Sequence, residues 1–462
     1  MDVITKQRPE LDPAFCPAVL WNRQFHAAIK KARIGRPIAI SLEKASGARA
    51  VFKTEIFDQH DSYQALNNKF VERLIKFLLW QRGGHKITIF GASDVANYIR
   101  ACYSASGARQ FDHQFLGVQI FGHPIEVFAA PYEEAPEELD ASRPLGRHWD
   151  GCRVGFDLGG SDRKCAAVKD GEVVFTEEVD WNPYTNPDPE WHFREINDSL
   201  KRAASHLPRV DAIGGSAAGV YVDNEVRGAS LFRGISKDLF TQKVRPLFKR
   251  LKKEWDNCPF EIINDGEVTA LAGSMALKQN SVLGLAMGTS QAAGFVDHEG
   301  YIKDWLNELA FAPIDYRDDA PRDEWSGDVG CGVQYFSQQS VARLAPKAGV
   351  SFSEGIKDAE KLLEVQSLMA KHDQKAEKIF KTIGSYLGYA VAHYADFYNV
   401  KHVLVLGRVM TGGGGELILD IAHQVLEKEF PALAKNITIV TMGEKDKRHG
   451  QAVAAASLPK LR

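Results

Sequence analysis

Apolar positions along this chain fall into two spacings that alternate from end to end. Near the start, residues 37–42 and 49–57 read as strands around a Ser46-Gly47 turn. Residues 68–81 have helical spacing, 86–90 read as a strand, 93–101 as a helix, and 117–127 contain strand-like runs around Gly122-His123-Pro124. After residue 150 the pattern restarts. Residues 153–158, 164–168 and 172–179 form three strands, the last two joined by Asp170-Gly171, and 192–207 is a helix through Phe193, Ile196, Leu200 and Ala203. Strands occur again at 211–215, 260–263 and 282–287, and a long helix spans 376–397. A strand at 402–406, a helix at 417–430, a strand at 437–441 and a helix from 450 to 457 complete the pattern. Strands alternating with helices predict an α/β fold.

Residues 131–150 interrupt this pattern. The stretch is acidic, carries Pro131, Pro136 and Pro144, and lacks apolar periodicity, so it reads as a linker behind an N-terminal α/β domain at 1–130. Residues 38–42 also align with 154–158, with Ser41 in place of Asp157, which suggests either a degenerate repeat of the core after residue 150 or a common hairpin-then-helix arrangement that recurs by accident.

Composition narrows the function classes. The 462 residues are 44% hydrophobic and 25% charged, with a net charge of -3, which gives no electrostatic footprint for nucleic acid or an anionic membrane. Within 1–150, 19 Lys and Arg face 17 Asp and Glu, a poor balance for gripping a phosphate backbone. The longest apolar cluster, 74–80, is too short to cross a bilayer and contains Lys76, so no membrane partner is expected. Residues 1–6 lack the layout of a secretory signal. Six scattered cysteines read as free thiols, which points to a reducing, cytoplasmic setting.

Four short motifs carry candidate chemistry. Asp157-Leu158-Gly159-Gly160-Ser161 occupies the turn of the hairpin after residue 150, where paired glycines let backbone amides approach a phosphate and the acid can hold Mg²⁺ through water. Asn264-Asp265 ends a strand and opens a small-residue helix, a position from which a carboxylate can take a hydroxyl proton. Gly288-Thr289-Ser290 is a small turn with hydroxyl donors suited to outer phosphates. Gly407, with the run from Gly412 to Gly415 beyond it, makes a strand-to-helix turn open enough for a flat base or a ribose. Each motif also has a plain structural reading: hairpin turns for the first and third, a helix cap for the second, a flexible loop for the fourth.

Their order is more specific than any one of them. It matches the phosphate, catalytic, second phosphate and adenosine elements of the actin-like ATPase (ribonuclease H-like) fold. Residues 154–461 resemble the ROK family of bacterial sugar kinases and repressors. The resemblance implies a two-lobed core, with 151–264 plus 445–462 as the small lobe and 265–444 as the large one. It also implies ATP- and Mg²⁺-dependent transfer of a phosphoryl group to a sugar hydroxyl, with Asp265 as general base. Asn264 and Glu308 would bind the sugar. Asp157, Gly159, Gly160 and Ser161 would lie by the phosphates and metal, Gly288, Thr289 and Ser290 on their other side, and Gly407, Gly413 and Gly414 at adenosine. A homodimer is the family habit.

The departures fall in the sugar half. Where the family has Gly-Glu-Ile-Gly-His, this chain has residues 307–311, with Glu308 kept and Phe311 in the histidine position. In the family's zinc-and-sugar run, here 324–333, only Cys331 remains of three cysteines, and Val333 replaces a glutamate. A structural zinc requires about four N or S ligands, so none is expected. His298 and His393 lack spaced partners and read as ordinary histidines. Losing two hydroxyl partners, each worth about 0.5–3 kcal/mol, argues for a less hydroxylated or differently shaped ligand than glucose. Two further readings stay open: a non-catalytic sugar or nucleotide sensor resembling the ROK repressors, and an assembly protein with a vestigial nucleotide site.

Overall fold

The protein is described from a computed structural model, in which residues 1, 3–140, 144–442 and 450–461 are defined. Residues 141–143 of the expected linker, 443–444 of the expected large lobe, and 445–449 and 462 of the expected small lobe lie outside them. The chain opens with α1 (Ala18–Ala32), β1 (Gly35–Glu43), β2 (Arg49–Phe57), α2 (Asp61–Arg82), β3 (Lys86–Phe90), α3 (Ser93–Cys102) and β4 (Glu126–Ala130). It continues through β5 (Cys152–Leu158), β6 (Asp162–Lys169), β7 (Glu172–Asp180), α4 (Pro189–Ala204), β8 (Ala212–Ala217), β9 (Val220–Val222) and β10 (Glu225–Gly228). Then come α5 (Lys237–Leu239), α6 (Leu247–Glu254), β11 (Phe260–Asn264), α7 (Asp265–Leu277), β12 (Val282–Met287) and β13 (Gln291–Val296). The remainder comprises α8 (Gln338–Leu344), α9 (Asp358–Ala370), α10 (Gln374–Ala395), β14 (His402–Leu406), α11 (Gly413–Glu429), α12 (Pro431–Ala434), β15 (Thr438–Val440) and α13 (Gly450–Ala456). No helix among the described residues is long and apolar enough to cross a membrane.

These elements form two compact units. One comprises Met1–Ser142, Leu285–Ala293 and Asp304–Thr441, and the other Arg143–Gly284, Gly294–Lys303 and Met442–Arg462. The division differs from the expected lobes in two places. Residues 265–284 group with β5 rather than with the large lobe, because α7 packs beside α13 and β8. The N-terminal residues share a unit with 304–441 instead of forming a domain of their own. Pro17 bridges Asp315, the Ala18 N–H donates to Ile314 O (2.9 Å), and α2 reaches the loop at 328 through ion pairs.

In the second unit the sheet order is β11-β8-β5-β6-β7. β5 pairs antiparallel with β6 and parallel with β8, and β8 pairs parallel with β11. β5 is buried along its whole length, as a central strand covered on both faces must be. Gly155 and Gly214 admit α13 against this sheet: a Cβ at either would stand 1.9 Å from Ala452 O or 1.7 Å from Ala455 O. On the core side Phe156, Ile196, Leu200, Phe248 and Phe260 pack together. Helix α4 starts at Pro189, ahead of the apolar periodicity, because the Asp188 carboxylate accepts from Glu190 N (2.9 Å) and Trp191 N (3.1 Å).

The N-terminal sheet has order β2-β1-β3-β4, and β1 is antiparallel to both β2 and β3. That corrects the expected repeat. The matching strand β5 has one antiparallel and one parallel neighbour, so aligning 38–42 with 154–158 joins strands of different topology. Residues 117–121 are also helical, part of a wide π-type turn from Asp112 to Phe121, and only Glu126–Ala130 extends as a strand. Residues 131–140 stay with the module that precedes them, with a short turn at Tyr132–Glu134 and Leu139 bridging Arg49.

Candidate active site

The second unit gathers carboxylates at one edge of its sheet. Asp157 near the end of β5 stands opposite Lys164 on β6 and Ser216 on β8, and Ser216 in turn stands beside Ile263 on β11. One residue farther, Leu158, Ala217 and Asn264 form the next row, and Asp265 takes the first position of α7. Because β5, β8 and β11 are parallel, all three present their carboxyl ends here, the edge at which ligands bind open α/β sheets. β5 and β11 lie two strand spacings apart, about 10 Å across the sheet, and Asp265 follows Ile263 of the Asp157 row by two residues.

Asp157 is 5% exposed and accepts a hydrogen bond from Ser216 Oγ (2.6 Å). Burial pushes its carboxyl up to about 6, against the opposing effects of the Ser216 bond and Lys164, and the nearby Asp265 charge raises it further. Asp265 is half-buried, and desolvation raises its carboxyl too, resisted by the N–H groups of Gly266 and of Asp265 itself. Tyr221 lies near both acids, its hydroxyl held well above its ordinary range by burial and by their charges. A carboxyl raised by burial without a full counter-charge is a ready seat for a cation. Among the described residues, however, no three His, Cys, Asp or Glu side chains converge as a metal site.

The turn at Gly159, Gly160 and Ser161 leaves from the same edge. Gly159 N donates to Asp162 O (2.9 Å), and Ser161 Oγ donates to the Asp162 carboxylate (2.9 Å), which also pairs with Lys164. From outside, Trp181 Nε1 donates to Gly159 O (2.8 Å) and Trp181 N to Ser161 O (3.0 Å). A Cβ built on Gly160 would lie 2.1 Å from the Tyr184 hydroxyl, so only glycine fits beneath that ring. Asn264 caps α7: its Oδ1 accepts from Gly266 N (2.7 Å) and its Nδ2 donates to Gly219 O (2.8 Å). The capping reading of Asn264 is thus a fact of the structure, and it orients Asp265 at the helix start.

The first unit carries the other candidates. Gly288 N closes a turn on Ser290 O (2.9 Å) across Thr289, and Gly288 O accepts from Gln338 N (2.9 Å). Gly407 has φ +101°, and a Cβ there would meet Met287 O at 2.4 Å. Gly414 lies under the Phe380 ring, whereas Gly413 has only Met369 Cε, at 3.9 Å, near its vacant Cβ position. Gly407 and Gly414 are therefore required by packing, and Gly413 leaves backbone open to a ligand.

The loop holding Glu308 is clamped by the last turn of α2. Leu306 N and Asn307 N donate to Gln81 O (3.0 Å each), and Glu308 N donates to Trp80 O (2.9 Å). Phe311 packs on Trp80 with ring centroids 4.4 Å apart, and Phe111 and Trp325 complete the cluster. Asp328, in the 324–333 run, pairs with Arg73, Lys76 and Arg109. Burial would raise its carboxyl, but Lys76 and Arg73 hold it below the usual range. Cys331 is a buried thiol against Asp328. His393 is core, its ring edge-on to Phe77, and burial lowers its basicity to about 3.

Sequence reasoning missed Ser216, Trp181, Tyr184 and Tyr221. Ser216 left a faint signal, since it continues the strand ending in Gly214-Gly215 by one residue. The three aromatics left none, because their roles depend on what folds against them.

The ROK family model matches residues 153–456. A ROK hexokinase from Thermus thermophilus superposes with a TM-score of 0.51 at 19% identity, covering 66% of this chain and 97% of that one. A ROK family transcriptional regulator, a homologue of the E. coli MLC protein, superposes with a TM-score of 0.51 at 18% identity, covering 66% of this chain and 78% of that one. No curated protein matches the sequence. The likeness to solved structures establishes the actin-like ATPase fold, and the family match spans about two-thirds of the residues. This chain belongs to the ROK family, whose members include sugar kinases and repressors.

Proposed function

We propose that the chain is an ATP- and Mg²⁺-dependent kinase that phosphorylates a hydroxyl of a sugar or sugar-like polyol. The observation that carries this reading is the pair of raised carboxylates, Asp157 and Asp265, at the carboxyl ends of β5 and β11 beside the Gly159-Gly160 turn. Asp265 accepts the proton of the attacking hydroxyl, and its raised pKa brings it closer to neutrality, where a base is most effective. Asn264 and Glu308 hold neighbouring hydroxyls. The turn at Gly159, Gly160 and Ser161 and the turn at Gly288, Thr289 and Ser290 lie beside the phosphates, while Gly407, Gly413 and Gly414 receive adenosine. Asp157 fits a water-mediated Mg²⁺, which when bound neutralises charge on the outer phosphates. Catalysis of this kind consists of positioning and charge stabilisation. With Phe311 in an aromatic cluster and Val333 buried, the acceptor is less hydroxylated or differently shaped than glucose.

The reading is tested by ADP formation against a panel of sugars, polyols and amino sugars, with Mg²⁺ present and withheld. Acceptor-dependent, Mg²⁺-dependent ADP supports it, and a silent panel despite measurable ATP binding counts against it. A second reading, a non-catalytic sensor, is favoured by that same aromatic filling of the sugar-side loop. Sugar binding without turnover would select it. Its DNA-reading form is disfavoured by the balanced charge of residues 1–150, and a low-salt gel shift on duplex DNA decides it. A homodimer in a cytoplasmic setting accompanies the kinase reading, and sedimentation tests the dimer.

A further inference from the structure

Several cations surround the β9–β10 hairpin, and nearly all are neutralised. Glu225 pairs with Arg227, Arg245 and Lys249, and Glu190 pairs with Arg250 and Lys243. Arg233 differs. It is exposed, and no carboxylate among the described residues lies within ion-pair distance of it. Its guanidinium lies instead over the Tyr184 ring, 4.0 Å from the centroid. The hydroxyl of that ring is the group pressed against Gly160.

The backbone around Arg233 is anchored on both sides. Leu231, Phe232 and Ile235 are buried in the core of the unit, and Arg233 N donates to Ser230 O (3.1 Å). A Cβ at Gly234 would meet Tyr184 O at 2.9 Å and Asn186 O at 3.1 Å, so this turn sits directly against the segment that carries the tyrosine. Three pieces of chain therefore converge: the glycine turn, the 181–186 segment that buttresses it through Trp181 and Tyr184, and the turn presenting Arg233. Stacking on an aromatic face fixes the plane of a guanidinium while leaving its N–H edge available to an anion. Backbone amides at a glycine turn supply oriented dipoles but no net charge.

We propose that Arg233, held in place by Tyr184, is a further phosphate-binding residue of the nucleotide site and reads the outer phosphates of ATP. This rests on the kinase reading above. Arginine pairs with phosphate through two parallel charge-assisted hydrogen bonds, and its contribution grows with the number of phosphates it can reach.

The test is isothermal titration of ATP, ADP and AMP, with Mg²⁺, into the full chain and its Arg233→Met, Arg233→Lys and Tyr184→Leu variants. Arg233→Met should weaken ATP by about 10- to 100-fold and AMP by less than about twofold, the loss of a charged hydrogen-bonding pair. Arg233→Lys should recover part of the ATP affinity, and Tyr184→Leu, which removes the stacking ring, should weaken ATP more than AMP. Unchanged ATP affinity in Arg233→Met, or equal weakening of ATP, ADP and AMP, overturns the inference and leaves the kinase reading standing. Wild-type protein that binds no adenine nucleotide overturns both.

Discussion

Asp157 near the end of β5 and Asp265, which follows the last residue of β11, stand at the same edge of one sheet, and Ser216 on the intervening β8 donates a 2.6 Å hydrogen bond to Asp157. Each carboxyl is raised by loss of water, and Asp265 adds its charge to the penalty on Asp157. The Gly159-Gly160 turn leaves β5 two residues beyond Asp157, and Asp265 starts the helix beyond β11.

The raised Asp157 carboxyl makes stability depend on pH. Its folded value of about 6 exceeds the ordinary 3.8, so the folded protein loses stability as pH rises from about 4 through 6 and the buried group ionises. Asp157→Asn does not titrate. The variant should melt higher than wild type at pH 8 by an amount corresponding to about 1–3 kcal/mol, and by about a third as much near pH 4.5. Added Mg²⁺ and ATP should stabilise wild type but not the variant. Thermal melts at the two pH values check both statements.

Gly160→Ala places a methyl group where the Tyr184 hydroxyl lies. Nucleotide affinity should fall by about tenfold or more as the turn shifts, since overpacking of this kind costs about 1–3 kcal/mol. Removing the hydroxyl with Tyr184→Phe in the same chain should restore part of the loss. Titration of ATP into the single and double variants measures this.

Tyr398 supports the loop that holds Glu308, its hydroxyl donating to Asn307 Oδ1 (2.6 Å). Asn307 itself has φ +49°, a conformation that needs such support. Tyr398→Phe should raise KM for the acceptor by about 3- to 10-fold, in line with about 1 kcal/mol for one hydrogen bond, and leave KM for ATP unchanged. Initial-rate kinetics with each substrate varied separates the two.

Lys76 is 1% exposed and binds Asp112 through both carboxylate oxygens (3.0 and 2.9 Å) and Asp328 at 3.3 Å. Lys76→Met takes the cation from buried Asp112 and one of three cations from Asp328, and should cost about 3–5 kcal/mol. Lys76→Met with Asp112→Asn should recover part of that, because the stranded Asp112 charge is gone. Chemical denaturation of the three proteins tests it.

Much of the second unit could be read from the chain because its signals are local. The Gly159-Gly160 hairpin and the strand into Asn264-Asp265 are encoded within a few residues of where they act. The N-terminal module is different. Alternation of apolar residues places β1 and β3, but it does not say whether they run parallel, and the expected repeat failed on that point. Its union with residues 304–441 depends on Lys76 meeting Asp328 and on Trp80 meeting Phe311, pairs more than 200 positions apart. Phe311 and Val333 read as losses from a sugar pocket, yet what Phe311 gains is the aromatic packing of a module that the resemblance does not cover.

The assignment of Asp265 as base meets its most direct test in a paired assay of wild type and Asp265→Asn. Acceptor-dependent ADP release and ATP binding are measured on the same preparations. The account predicts turnover by wild type with at least one sugar or polyol, a fall of about 100- to 10,000-fold in kcat for the variant, and equal ATP affinity in both. Turnover by Asp265→Asn at the wild-type rate, or wild-type protein that binds ATP and phosphorylates nothing, would contradict it.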